Sequence, residues 1–412
     1  MDADITVIGA GVIGISAALE LQRRGHKVLV IDAEGVAQGA SFGNAGAFAF
    51  TDVLPLATPR IMRQAPRWLF DPLGPLSVPP SYALRIAPWL FKFWRASRPE
   101  KFSTATTAQS QLMALARHAV ERQIAFADCT HLVVREGQLQ LYDTKRSFKA
   151  SLPDWALRKS HGIAFDIIQD AATLAAIQPG LNAKFQHGVF TPAWMNTVNP
   201  KSWVDHLAAV FCQAGGEITT TKAHAINVDE YGVRITTSDT PIRSKQVVIA
   251  AGAHSHILAR NLGDRIPLET ERGYNTSLPS GAFDLRTHLS FASHGFVVSK
   301  LDDGVRVGGA VELGGLDAPP NYKRATHLLN RASEFLPNLK TAGGTQWMGF
   351  RPSLPDSLPV ISRARHAPDV IYAFGHGHLG LTQSAATAEL VADLAENKPP
   401  AIDVAPFSAE RF

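Results

Sequence analysis

The chain has 412 residues, 45% hydrophobic and 18% charged, and its 40 basic against 36 acidic side chains leave a net charge of +4. That length suits about two domains at roughly 100–200 residues each, and so mild a charge without Lys/Arg runs gives no argument for a nucleic-acid partner, and none is expected. Two cysteines without a C-x-x-C, Cys129 and Cys212, suggest no metal site or disulfide framework, and neither a membrane span nor a secretory leader is expected, which makes the cytoplasm the default compartment.

A β-rich run at 5–8 meets Gly9-x-Gly11-x-x-Gly14, residues 12–24 read as a helix, and a second run at 27–31 ends in Asp32. This is a βαβ dinucleotide fingerprint. Gly9 makes the tight turn, Gly11 lets the backbone approach a pyrophosphate, and Gly14 lets helix and strand pack closely. The pyrophosphate sits on the unpaired N–H groups of the helix start, and Asp32 takes the adenosine ribose hydroxyls. The fingerprint alone does not separate NAD from FAD.

Residues 39–46 form a small-residue loop with Ser41 and Asn44 as hydrogen-bonding tips. Its Gly39-x-Ser41-x-Gly43 also matches a hydrolase nucleophile elbow, but that motif needs a strand running straight into the serine, and here the strand ends at Asp32. Residues 50–101 are a Pro-rich excursion carrying Trp68, Trp89, Trp94, Phe91 and Phe93, with eight basic residues against Asp71 and Glu100 over 55–101. A long helix is expected over 104–128, then strands at 132–135 and 138–143 joined as a hairpin through Glu136-Gly137.

The nucleotide-binding part resumes near Asn199 with a helix at 203–214, a β meander beginning at 217–221, and a buried strand at 245–252 ending in Ala251-Gly252. A second, antiparallel region holds Arg272-Gly-Tyr-Asn and strands near 295–300 and 305–309, followed by a helix at 324–335. The strand 370–374 then runs into Gly375-His-Gly-His-Leu-Gly-Leu-Thr382 and a helix over 383–396, repeating the physics of the opening turn. Three further glycine-rich loops at strand ends favour FAD, because an isoalloxazine needs its own cradle beyond the pyrophosphate.

The opening fingerprint with Asp32, the Ser41…Asn44-Ala-Gly46 loop, Val247 to Ala253, Glu271-Arg-Gly-Tyr274, Trp347-Met-Gly-Phe-Arg-Pro352 and Gly375 to Thr382 together resemble the D-amino acid oxidase/dehydrogenase family of flavoproteins, in order and over nearly the whole chain. The resemblance extends to bacterial D-amino acid dehydrogenases, including those acting on 4-hydroxy-D-proline. It implies an α/β fold with a discontinuous Rossmann-type FAD-binding domain (1–50, 196–262 and 345–412) and an α+β substrate domain built on an antiparallel sheet (51–195 and 263–344). Non-covalent FAD is expected, since neither cysteine sits in a matching loop.

The resemblance assigns Arg351 to the substrate carboxylate, a role a planar guanidinium suits because it forks onto two oxygens. Tyr274 is expected to bond that carboxylate or cap the pocket, and His376 is a candidate catalytic imidazole. Cofactor contacts are expected from Gly9, Gly11, Val12, Ile13, Gly14 and Asp32; from Ser41, Asn44, Ala45 and Gly46; from Ala251 and Gly252; and from Gly377, His378, Gly380, Leu381 and Thr382. The implied activity is oxidation of a D-amino acid, D-proline and 4-hydroxy-D-proline included, with hydride passing to flavin N5 and electrons to a quinone or other non-oxygen acceptor. The aromatic and basic excursion is the expected peripheral contact with a membrane. The alternatives are an oxidase using oxygen, an NAD-dependent reductase, and an FAD-binding electron-transfer or membrane subunit.

Overall fold

The computed structural model describes residues 2–59 and 76–412; of the excursion, Trp68, Asp71, Arg60, Arg63 and Arg67 lie outside them. The strand Ala3–Ile8 is flanked in parallel by Val28–Asp32 and by Ile242–Ile249. Glu217–Thr220 adds in parallel outside Val28–Asp32, and Val370–Phe374 pairs in parallel with the C-terminal half of Ile242–Ile249. Ala3–Ile8, Val28–Asp32, Val370–Phe374 and the C-terminal end of Ile242–Ile249 are mostly apolar and buried, as a parallel sheet covered on both faces requires, whereas the edge strand Glu217–Thr220 is not. Alternate residues feed two cores. Val7, Val30 and Val248 meet the helices Val12–Arg23, Pro200–Gln213 and Gly380–Ala395, with the 29-residue helix Pro99–Ala127 packed outside them. Ile8, Ile31 and Val247 meet the meander Ala223–Asp229 and Gly232–Thr237 and the short helix Ser255–Asn261.

The second sheet is antiparallel apart from two pairings, and runs in the order Thr345–Ser353, Glu269–Pro279, Gly304–Leu313, Phe296–Leu301, His288–Phe291, Gln138–Tyr142, His187–Thr191 and Asp166–Ile168. The helix Lys323–Phe335 closes one side of it, with the Phe335 ring packed edge-on or tilted against Phe185, Phe291 and Phe296.

Several elements differ from the sequence expectation. Val133–Val134 and Gln138–Tyr142 are not a hairpin: the first pairs with Met195–Thr197 in a small three-stranded sheet, the second enters the large antiparallel one. Gly137, at φ +71°, turns the chain between the two sheets. Glu217–Thr220 does not begin the meander; it is the parallel edge strand, reached through the helix Pro200–Gln213, and the antiparallel hairpin starts at Ala223. The stretch 345–353 belongs to the antiparallel sheet, where nine residue pairs tie it to Glu269–Pro279, and the chain rejoins the parallel sheet only at Val360. The excursion contains a helix, Ala83–Ala96, despite Pro88 within it. Its Trp89 is buried, stacked on Phe93 at 5.3 Å and packed with Ile86 and Leu313, so these rings face inward and not toward a bilayer.

Candidate active site

Between the two sheets lies a cavity of about 1400 Å³, larger than the roughly 300–1,000 Å³ of ordinary small-ligand sites. It runs from Gly9, Gly11 and Asp32, past Ser41 to Ala45, to Arg351 and the 375–381 turn. At its first end Gly9 takes φ +114°, and a Cβ on Gly14 would lie 1.8 Å from the Gly9 carbonyl oxygen. Gly14 therefore does not line the cavity; it seats the helix Val12–Arg23 against the turn. Asp32 accepts hydrogen bonds from the N–H groups of Ala10 (2.8 Å), Glu34 (2.8 Å) and Gly35 (3.1 Å), which fix its carboxylate at the strand end.

The loop after it is held from every side. Val12 N–H donates to Ser41 Oγ at 2.9 Å, and Gly46 N–H donates to Asn44 Oδ1 at 2.7 Å, so both side chains shape the loop, whose residues Ser41, Gly43, Asn44 and Ala45 line the cavity. Thr382 Oγ1 accepts from Ala49 N–H at 2.9 Å and stands behind the wall, as Gly46 does. From the antiparallel sheet, Asn275 Nδ2 donates to the Gly43 carbonyl (2.7 Å) and Arg306 Nη1 to that of Asn44 (2.6 Å). Burial lowers the Arg306 pKa to about 10, so it remains a cation at neutral pH. Ala251, Gly252, Gly377, His378, Gly380 and Leu381 complete the small-residue lining together with Val12 and Ile13.

At the other end, Arg351 stands on the edge strand opposite Glu271. Its guanidinium lies over Gly273, where a Cβ would come within 2.5 Å of Nη2, and Nη1 donates to the Ala310 carbonyl at 3.1 Å. Burial lowers its proton affinity and Glu271 opposes that effect; a guanidinium stays charged throughout. Trp347, four residues earlier on the same face, occupies the space that side chains on Gly43 and Gly349 would need.

Tyr274 and His376 also border the cavity, but their polar atoms point elsewhere. The Tyr274 hydroxyl donates to Glu312, which also takes Arg272 Nη1 at 3.1 Å, and accepts from Asn321 N–H at 3.1 Å. Burial and Glu312 push that hydroxyl up to about 12. It is a bond inside the wall, not a donor aimed at a carboxylate. His376 Nε2 meets Thr387 Oγ1 at 2.9 Å on the closing helix, and burial draws its imidazole down to about 3. The ring is neutral across the physiological range and is not placed as the catalytic imidazole the sequence suggested.

Sequence reasoning missed Asn275 and Arg306 and did not single out Glu271. Strand alternation carried the signal: 271, 273 and 275 share one face, and Arg272 and Tyr274 take the other.

Comparison with known proteins agrees with this geometry. The family model described as FAD dependent oxidoreductase matches residues 4–394. The chain is 35% identical to a D-amino-acid oxidase of Bradyrhizobium diazoefficiens, over 99% of this chain and 98% of the relative. It is 29% identical to D-amino acid dehydrogenase 1 of Mesorhizobium japonicum, over 99% of each. Among solved structures, glycine oxidase from Geobacillus kaustophilus superposes with a TM-score of 0.79 at 21% identity, covering 100% of this chain and 99% of that one. L-proline dehydrogenase from P. horikoshii gives 0.77 at 18% identity, with 100% and 98% covered.

Proposed function

Because the chain belongs to the DAO family of FAD-dependent oxidoreductases, we propose that it is a D-amino acid dehydrogenase that oxidises the Cα–N bond of its substrate to an imine and passes the electrons to a quinone or other non-oxygen acceptor. The observation that carries the reading is Arg351: a half-buried, charged guanidinium at the end of a dinucleotide-sized cavity, without a carboxylate in ion-pair distance among the described residues.

The residues fit FAD. Asp32 suits the ribose, the N–H groups at the start of Val12–Arg23 suit the pyrophosphate, and the glycines at 43, 375, 377 and 380 leave room for a broad ring. FAD, when bound, supplies the two-electron acceptor. The protein's own contribution is positioning. Arg351 forks onto the substrate carboxylate and fixes where Cα points, Gly273 keeps the guanidinium's path clear, and Trp347 fills the space beside the loop against water. Asp32→Ala should weaken FAD binding by about 1–3 kcal/mol, the range for hydrogen bonds to charged groups, as measured by flavin titration of the apoprotein. Unchanged affinity would remove Asp32 from the cofactor site.

Anaerobic mixing with D-amino acids, D-proline and 4-hydroxy-D-proline among them, tests the activity: one or more should bleach the flavin. A flavin that none of them reduces rules the reading out. The acceptor is tested by adding oxygen or a soluble quinone to the reduced protein. A second reading, an oxidase, is favoured by the name of the 35% identical relative, and rapid reoxidation by oxygen alone would establish it. Among the described residues no helix is long and apolar enough to cross a membrane. Peripheral contact is supported instead by Leu84, Phe91 and Trp94, exposed on Ala83–Ala96 beside Arg85, Lys92 and Arg95. It predicts salt-sensitive co-sedimentation with anionic vesicles, and protein left in the supernatant at low salt would exclude it.

A further inference from the structure

Glu271 is the cavity residue that the wall itself does not explain. It stands directly opposite Arg351 in the Glu269–Pro279 and Thr345–Ser353 ladder, so the two side chains leave the sheet on the same face. Neighbouring opposite charges there would ordinarily pair. Instead the Arg351 guanidinium runs over Gly273 to the Ala310 carbonyl, and the pair does not close. Among the described residues the Glu271 carboxylate has neither a hydrogen-bond nor an ion-pair partner, although the residue is only 6% exposed. Glu271 lines the cavity together with Arg351 and His378, and its negative charge favours the protonated form of both. His378 is itself nearer Asp52, with Nε2 3.9 Å from Oδ2.

On a residue so little exposed, an unpaired carboxylate has the cavity alone to supply its partner, and a positive group there completes it. We propose that Glu271 binds the substrate's amino group, so that Arg351 and Glu271 together form a receptor for an amino acid zwitterion, carboxylate on the first and amine nitrogen on the second. The assignment rests on the amino acid reading above and deepens it. It names the substrate class by charge: primary and secondary α-amines both offer an N–H⁺ to the carboxylate, whereas 2-hydroxy acids and plain carboxylates do not. A buried polar group that is left unmatched discriminates strongly against the analogue lacking the partner. The open separation of acid and base is then functional, because a closed Glu271–Arg351 pair would cancel both halves of the receptor.

The test uses the FAD-loaded protein and two probes that cannot be oxidised at Cα–H as amino acids: 2-aminoisobutyrate, which is zwitterionic and has no Cα–H, and 2-methylpropanoate, the same skeleton without the amine. Binding is read calorimetrically and by perturbation of the flavin spectrum. The parent should bind 2-aminoisobutyrate roughly ten- to a hundredfold more tightly than 2-methylpropanoate, and Glu271→Gln should abolish most of that preference while holding 2-methylpropanoate at least as well. A parent that binds the two equally, or a Glu271→Gln protein that keeps the preference with full flavin content, overturns the role of Glu271 and leaves the Arg351 clamp standing. If the parent binds neither probe and no D-amino acid bleaches the flavin, the amino acid reading fails, and the zwitterion receptor with it. The parent's own preference needs no variant, so a misfolded Glu271→Gln protein does not remove the test.

Discussion

Arg351→Ala is expected to retain FAD and fold while turnover with a D-amino acid falls by about 10²-fold or more. Among the described residues the side chain makes one hydrogen bond to the protein, to the Ala310 carbonyl, and no carboxylate lies at ion-pair distance from it. Replacing it therefore removes a ligand contact and little packing. The effect should appear mainly as a lower rate of flavin reduction at saturating substrate, because the fork orients Cα as well as holding the carboxylate. Arg351→Lys should recover only part, since an ammonium offers a point charge in place of two parallel N–H donors. Stopped-flow reduction of the three proteins checks this. Parent-like reduction by Arg351→Ala would mean that the substrate carboxylate is held elsewhere in the cavity.

Gly14→Ala should produce the second large effect, by a route that never touches a ligand. The added methyl would lie 1.8 Å from the Gly9 carbonyl oxygen and 2.9 Å from its carbon. Both are backbone atoms in a turn already fixed at φ +114°, so neither can step aside as a flexible side chain would. Relief requires lifting the start of Val12–Arg23 away from the strand. Overpacking of this kind costs about 1–3 kcal/mol and occasionally more. The same displacement moves the Val12 N–H off Ser41 Oγ and spoils the N–H cluster of the helix start. The protein should purify with much less flavin and unfold at lower denaturant concentration, measured as flavin content per chain and the midpoint of urea unfolding. Parent-like values on both would show that the turn relaxes more easily than its contacts indicate.

The parallel half of the fold was legible because its signals are local. Gly9, Gly11, Gly14 and Asp32 fall within one βαβ unit, and their spacing follows from the lengths of a strand, a turn and a helix. The place of Arg351 on the cavity wall was legible through the motif that contains it. The partners of these residues were not, because register is a long-range property. Nothing near Glu271 announces that it will face Arg351, eighty positions later. Tyr274 shares a motif with Glu271 but differs from it in strand parity, and parity alone sends its hydroxyl to Glu312. His376 looked catalytic because imidazoles titrate near neutrality. Burial against Thr387 removes that property, and burial is decided by a helix that follows it in the chain. Val133–Val134 and Gln138–Tyr142 read as a hairpin from Glu136-Gly137, yet each found a stronger partner in a different sheet.

The loop from Ser41 to Ala49 ties together parts of the chain that are far apart in order of synthesis. Its anchors are Val12, Asn275, Arg306 and Thr382. Contacts so distant in sequence carry a high loop-closure entropy and form late in folding. The opening βαβ unit can assemble early from neighbouring residues, but its pocket has no far wall until the last helix and the second sheet have docked. Flavin capture would then report completion of the whole chain's folding, and a truncated or stalled chain would present the fingerprint without retaining the cofactor. Ligand linkage adds to this: FAD, binding the finished state alone, draws the population toward it by mass action. The cofactor acts here as the final check on assembly as well as the reagent.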